Sequence, residues 1–411
     1  MQPAIKAHRT NCCICGGGPA GMMLGFLLAR AGVEVIVVEK HKDFFRDFRG
    51  DTIHPSTIEL IYELGLLEEF LKIPHQEIEQ LTISYNSQEF IIADFTHLPV
   101  HKKVLALMPQ WDFLNFLEKQ ASRYPQFTLF RETTVTALIK ENQRVAGIRA
   151  ETPQGTVEVR AAITVGCDGR SSTVRELAGL SVIHTGAPID ALWFRLSRKA
   201  GDPERTLGRF DHGRLMVLLD RDDYWQCAYV IPKGNFEQVK MRGIEDFRRE
   251  LSSVSPFISN RRDELKDWDD FKLLSVSIDH LEKWYAEGLL CIGDAAHAMS
   301  PVGGVGINLA IQDAVATANA LCKPLLCKQP LPLSLLKQIQ QRRTLPRKLI
   351  QGMQVFVQKK LFSGAGSAGS SQKLPWPFVL LKKFPVLRRI PARFIGMGPR
   401  PEHIRTPDVY P

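Results

Sequence analysis

Three groups of residues in this 411-residue chain combine types and spacings that chemistry can use. The first is Gly16-x-Gly18-Pro19-Ala20-Gly21. Gly16 allows a tight turn, Gly18 lets a pyrophosphate approach the backbone, and Gly21 lets a helix pack closely on the preceding strand. The N-terminus of that helix adds unsatisfied N–H groups and the positive end of its dipole. Glu39, followed by Lys40, closes the next strand 21 residues after Gly18, where an acid can bind an adenosine ribose hydroxyl. The pattern points to a dinucleotide, against the plainer use of glycines for packing.

The second group, Cys167-Asp168-Gly169-Arg170-Ser171-Ser172, is on its own a turn with a helix cap. The third begins at Gly293-Asp294-Ala295-Ala296-His297 and continues through Pro301, Gly303, Gly304, Gly306, Ile307 and Asn308. A carboxylate at a strand end can accept ribityl hydroxyls. The glycine run behind it offers backbone N–H groups to a flat polar ring or a small anion.

The elements that must position these groups follow from hydrophobic periodicity. Residues 11–15 and 33–39 are apolar runs of the kind found in strands covered on both faces, and Met22 to Ala31 between them reads as a helix ending at Gly32. Further helices are expected at Pro55–Leu64, Trp111–Arg123 and from Ile307 to about Leu321. The stretch 183–280 is rich in strands. The expected fold is therefore α/β: a Rossmann-like dinucleotide domain in two parts, 10–182 and 283–327. A mostly antiparallel β-sheet domain, 183–282, is inserted between them, and a basic helical tail, 328–411, contains a flexible segment at 363–372.

Composition excludes a disordered or multi-span membrane chain: hydrophobic residues make up 44% and charged residues 24%. The net charge of +9 resides in the tail, which holds 16 Lys/Arg against two acids, whereas 1–327 sums to −5. Two readings of the tail stay open. It can lie in a membrane interface, or it can pack on the first domain with its basic face in water. No recognition motif accompanies the charge, so nucleic acid is not an expected partner. Eight cysteines without zinc-type spacing read as buried small hydrophobes, with no metal site, in a reducing, cytoplasmic setting.

In this order and at these separations, the three groups closely resemble the single-component FAD-dependent aromatic hydroxylases, the p-hydroxybenzoate hydroxylase-like flavoprotein monooxygenases. The resemblance covers about residues 10–325 and is weak in the middle. It implies FAD, with the first glycine turn on its ADP half and Glu39 on the ribose. It further implies Arg49 on the phosphates, Gln110 near the flavin, Val135 at the adenine and Asp168 with Gly169 serving both FAD and a visiting nicotinamide nucleotide. Asp294 would bind the ribityl chain, and Pro301 to Asn308 would lie beside the reactive edge of the isoalloxazine. NADH or NADPH would bind transiently.

The implied activity is hydroxylation or epoxidation of an aromatic or lipophilic molecule through a flavin C4a-hydroperoxide. An FAD-dependent reductase of isoprenoid double bonds (geranylgeranyl reductase-like) and a non-catalytic FAD- or ligand-binding protein are the alternatives. A middle sheet covering the flavin makes Arg209, Phe210, His212, Trp225 and Tyr229 substrate candidates. His54, His297 and Pro301 are the candidates closest to the chemistry. The stretch Cys227-x-Tyr229-x-Ile231-Pro232 lacks the tryptophans of a halogenase motif. Nothing in the sequence fixes the oligomeric state.

Overall fold

The computed structural model describes residues 6–45, 52–85, 88–203, 207–211, 213–221, 223–362 and 376–410. Arg49, His212 and the segment 363–372 lie outside them.

The chain opens with strand β1, Lys6–Cys15, then helix α1, Pro19–Arg30, and strand β2, Val35–Val38. Pro19 occupies the first turn of α1, where its missing N–H costs nothing. Gly32 sits at φ +88° just beyond the helix end. Helix α2, Pro55–Glu63, comes next, and the hairpin strands β3, Gln80–Tyr85, and β4, Gln88–Asp94, follow it. Helix α3 spans Gln110–Ala121 and strand β5 spans Phe127–Phe130. Strands β6, Thr134–Glu141, β7, Arg144–Thr152, and β8, Gly155–Gly166, form an antiparallel meander that leads to helix α4, Thr173–Leu177.

The middle of the chain contributes β9, Ile189–Ser197, β10, Leu207–Asp211, β11, Arg214–Asp220, and β12, Tyr224–Pro232. Helix α5, Ile244–Val254, and strand β13, Lys272–Leu274, follow. These strands form a seven-stranded sheet in the order β13-β9-β12-β11-β10-β3-β4. Its last two strands come from 80–94, outside the stretch 183–282 assigned to it by periodicity. The join is a parallel pairing of β10 with β3, including Phe210 opposite Tyr85. All other pairings within this sheet are antiparallel.

Strands β14, Tyr285–Ala286, and β15, Leu289–Cys291, return to the first sheet, whose order is β14-β15-β8-β1-β2-β5. From β15 to β5 its neighbours are all parallel. The C-terminal ends of parallel strands are where open α/β sheets bind ligands. Helix α6, Val305–Leu326, is apolar nearly all round and is buried. Seven of the eight cysteines are buried, all eight are free, and Cys327 is exposed.

The tail forms helices α7, Leu333–Phe362, α8, Trp376–Lys383, and α9, Arg389–Gly396. It packs on both sheets. Ala392 and Met397 join a cluster with Ala93, Phe95 and Leu98. Phe378 approaches the rings of Tyr85 and Phe90 at 6.3 and 6.4 Å. The tail thereby covers β4, which would otherwise be an open sheet edge.

Candidate functional site

The three glycine-bearing groups converge at the strand ends. Gly16 donates its N–H to Val38 O at 2.8 Å, and Cys167 N–H reaches Cys15 O at 2.7 Å. Gly16 lies at φ +106°, and a Cβ there would sit 2.5 Å from Cys167 O, so no other residue fits between the first two groups. A Cβ on Gly21 would come within 1.9 Å of Gly16 O. Gly18 is different. Its φ is −76°, and a Cβ on it would meet nothing within 4 Å. The chain leaves space at Gly18 that protein does not fill, directly before the unsatisfied N–H groups of α1.

Glu39 is buried at the end of β2, where Oε2 accepts from Gly17 N–H at 2.8 Å and Oε1 from His41 N–H at 3.0 Å. Thr133 N–H donates to Glu39 O at 2.9 Å, which brings the start of β6, and Val135 with it, beside the same strand end. Lys40 is exposed next to Glu39. Gln110 is the first residue of α3, half-buried.

Asp168 turns inward. It accepts from Ser172 Oγ at 2.5 Å and from Val174 N–H at 3.0 Å, fixing the start of α4. Burial pushes its carboxyl pKa up, against the pull of those hydrogen bonds. Asp294 is half-exposed and pairs with Arg170 Nε at 3.1 Å. Arg170 Nη1 is buried without a partner among the described residues. A cradle open at Gly18, a carboxylate held at Glu39 and a half-exposed acid at Asp294 fit an ADP-and-ribityl cofactor of the FAD type.

The loop after Asp294 is clamped from two sides. Gly303 and Gly304 take φ +81° and +62°, and a Cβ on Gly304 would strike Thr52 Oγ1 at 2.4 Å. Asn308 spends its whole amide on the clamp. Its Oδ1 accepts from His54 N–H and Thr57 Oγ, both at 2.8 Å, and its Nδ2 donates to Thr52 O at 2.9 Å and Gly304 O at 3.1 Å. Asn308 therefore shapes the loop from behind, while the N–H groups of Gly306 and Ile307 head α6 with no helical acceptor.

Three glutamines on one face of α7 hold the loop from the other side, and sequence reasoning missed them. Gln351 Nε2 donates to Asp279 O at 3.0 Å and Ala298 O at 2.9 Å. Gln354 Nε2 donates to Ser300 O at 2.9 Å and Val302 O at 2.8 Å, bracketing Pro301. Gln358 reaches the Ser300 hydroxyl. Their spacing of three and four residues was the available signal, but on a helix it reads equally as a solvated polar face.

Both candidate histidines are buried. His297 Nε2 contacts Asp313 Oδ2 at 2.6 Å, and Asp313 Oδ1 accepts from Arg343 Nε at 2.8 Å. Arg343 continues to Glu402 Oε1 at 3.2 Å, which also takes Arg342. Burial alone would raise the Asp313 pKa, but His297 and Arg343 hold it below the usual carboxylate range. Asp313 also accepts from Gly293 N–H at 3.2 Å, so this chain of charges fastens the turn that carries Asp294 to the tail. His54 Nδ1 meets Ile395 O at 2.7 Å, and its buried Nε2 has no hydrogen-bond partner among the described residues. Burial lowers the His54 pKa to about 4, against carbonyl contacts from Ile395, Gly303 and Gly304.

The substrate candidates divide between the two faces of the second sheet. Trp225 and Tyr229 belong to the core packed under α5, with Trp225 Nε1 donating to Asp202 at 2.9 Å and the Tyr229 hydroxyl donating to Glu250. Arg209 lies opposite Met216 on that same covered face, 5.8 Å from the Phe257 ring. These three, expected from the sequence as substrate candidates, pack on the helix-covered face of the sheet. Phe210 alone of the described candidates points to the opposite face, stacked on Tyr85 at 5.3 Å and 11°. Phe90, Leu215 and Val230 line that face with it.

Residues 9–346 match the family model described as FAD binding domain. The chain is 31% identical over 408 residues to 6-methylpretetramide 4-monooxygenase of Streptomyces rimosus, covering 98% of this chain and 96% of that relative. It is 27% identical over 315 residues to dialkyldecalin synthase of Streptomyces rugosporus, covering 74% of this chain but spanning only 63% of that protein. Among solved structures, p-nitrophenol 4-monooxygenase PnpA from Pseudomonas putida DLL-E4 superposes with TM-score 0.75 at 19% identity, over 96% of this chain and all of the other. With the converging turns on one side and an end-to-end monooxygenase relative on the other, the chain belongs to the family of FAD-dependent aromatic monooxygenases and is an oxidoreductase.

Proposed function

We propose that the chain hydroxylates or epoxidises an aromatic or lipophilic small molecule, with NADH or NADPH as transient reductant and O₂ as oxidant, through a flavin C4a-hydroperoxide. FAD, when bound, supplies the electron transfer and oxygen activation that side chains cannot. The Pro301–Asn308 loop carries this reading, because it is immobilised by Asn308 on one side and Gln354 on the other. A fixed loop with the positive end of α6 beneath it favours the negative charge that builds in the N1–C2 region of a reduced flavin.

The protein's share is to bind, orient and exclude water. Gly16, Gly18, Pro19, Ala20 and Gly21 would cradle the pyrophosphate, and Glu39 and Asp294 would take the ribose and ribityl hydroxyls. The flat apolar wall of Tyr85 and Phe210 suits a planar ring. His297 is committed to Asp313 and acts on position, not on protons in transit. The monooxygenase relative, matched from end to end, supports oxygen insertion over reduction.

Reconstitution with FAD followed by assay against an aromatic panel under ¹⁸O₂ tests the proposal. The expected outcome is substrate-stimulated NAD(P)H oxidation with one labelled oxygen in the product. A saturated, unlabelled product would replace it with the reductase, and a flavin that stays oxidised across the panel would replace it with a binding protein.

A further inference from the structure

The tail helices show one face to the protein and another to solvent, and the two differ in chemistry. The inner face is settled: Ala392 and Met397 pack with Phe95 and Leu98, and a Cβ on Gly396 would lie 2.8 Å from Leu98 Cδ1. The outer face is therefore presented rigidly. On it Val379 and Phe384 are each 47% exposed, Val386 is 60% and Ile390 68%. Among them stand Lys382, Lys383, Arg389 and Arg393, all exposed, and half-buried Arg388. Residues 376–396 hold these five cations and no acid.

We infer that this outer face of α8, α9 and the turn between them docks on an anionic lipid surface. Two features favour lipid over an acidic protein. Lysine is depleted at protein–protein interfaces, whereas paired lysines beside aliphatic side chains match phosphate headgroups above an acyl boundary. The same short segment also exposes Val379, Phe384, Val386 and Ile390, the combination of basic and apolar side chains that an interfacial helix offers to headgroups and acyl boundary. No described helix is long and apolar enough to cross a membrane, so the contact would be peripheral. Residues 1–327 carry −5 against +14 on 328–411, so an anionic surface attracts the tail side of the molecule and the tail sets the orientation.

Co-sedimentation of the full-length, FAD-loaded protein with vesicles tests this, comparing phosphatidylcholine alone with phosphatidylcholine carrying one-quarter phosphatidylglycerol. Binding is expected only to the anionic vesicles, reversed by salt, with hydrogen-exchange protection confined to 376–396. Lys383→Gln with Arg389→Gln should weaken partitioning by about five-fold per charge, about twenty-five-fold together. Val386→Ser with Ile390→Ser should weaken it with the charge intact. Unchanged flavin absorbance and melting temperature certify that the variants fold, and the salt dependence of the wild type stands if one does not. Equal partitioning to both vesicle types, protection elsewhere in the chain, or equally tight binding to polyglutamate-coated beads would overturn the inference.

Discussion

The two glycine-rich turns at the site are built on opposite plans. The first, Gly16 to Gly21, is fixed locally: strand, turn, helix and Glu39 all fall within the 34 consecutive residues 6–39. The second, Pro301 to Asn308, is fixed from a distance. Its supports are Thr52 and His54, some 250 positions earlier, and Gln351, Gln354, Arg343 and Glu402 in the tail. A local turn can be recognised in a sequence and tolerates changes elsewhere. A turn held by distant groups is vulnerable wherever those groups lie, and a C-terminal tail becomes part of the site.

The sharpest way to test that difference is Arg343→Ala. It removes the partner of Asp313 Oδ1 inside a fully buried network and should cost about 3–5 kcal/mol in unfolding free energy. Denaturant unfolding measures it. A loss under 1 kcal/mol would mean the tail merely rests on the core.

His54 gives the same contrast a pH axis. Its ring links the second turn to Ile395, and its folded pKa is about 4 against an ordinary 6.5. Between those values the unfolded chain binds more protons, so stability should fall as pH drops from 6.5 towards 4, by about 3 kcal/mol at the lower end. His54→Phe should flatten that part of the profile relative to wild type. Parallel profiles would show that the histidine stays solvated.

At the first turn, Gly18→Ala should leave stability within about 0.5 kcal/mol, because φ −76° suits alanine and the Cβ meets no protein atom. FAD affinity should fall at least ten-fold, since the methyl enters the phosphate space. Flavin titration and thermal melting together decide it. A destabilised apoprotein with normal FAD affinity would make Gly18 a packing glycine after all.

Gln354→Ala is the matched change at the second turn. It frees the carbonyls of Ser300 and Val302, with an expected loss of about 1–2 kcal/mol. Its effect should fall on turnover with substrate more than on FAD affinity, the reverse of Gly18→Ala. Equal effects on both would erase the distinction between the turns.

The same split explains what was legible. The βαβ unit, the three glycine groups and their order could be read directly, because each is a short run whose geometry is dictated by its own residues. The parallel join of β10 to β3 spans some 125 residues and has no local signature. Gln351, Gln354 and Gln358 look like a polar helix face until the loop they hold is known. Strand β12 misled for another reason: from Trp225 to Tyr229 every residue is buried, so no alternation marks which face looks at a ligand.

That ambiguity yields the smallest expected effect and the finest comparison, between the two faces of one sheet. Phe210 and Tyr229 lie on opposite sides of the second sheet. Phe210 stacks on Tyr85, whereas Tyr229 packs edge-on against Phe247 at 5.4 Å. Phe210→Leu removes the flat ring, and should raise KM for a planar substrate several-fold at a stability cost of about 1 kcal/mol, because the ring is buried. Tyr229→Phe removes only the hydroxyl that meets Glu250, a carboxylate already held by Arg242 and Arg214, so it should lower stability by about 1 kcal/mol and leave KM alone. If Tyr229→Phe shifts KM and Phe210→Leu does not, the ligand lies under α5 and the sheet is oriented the other way round.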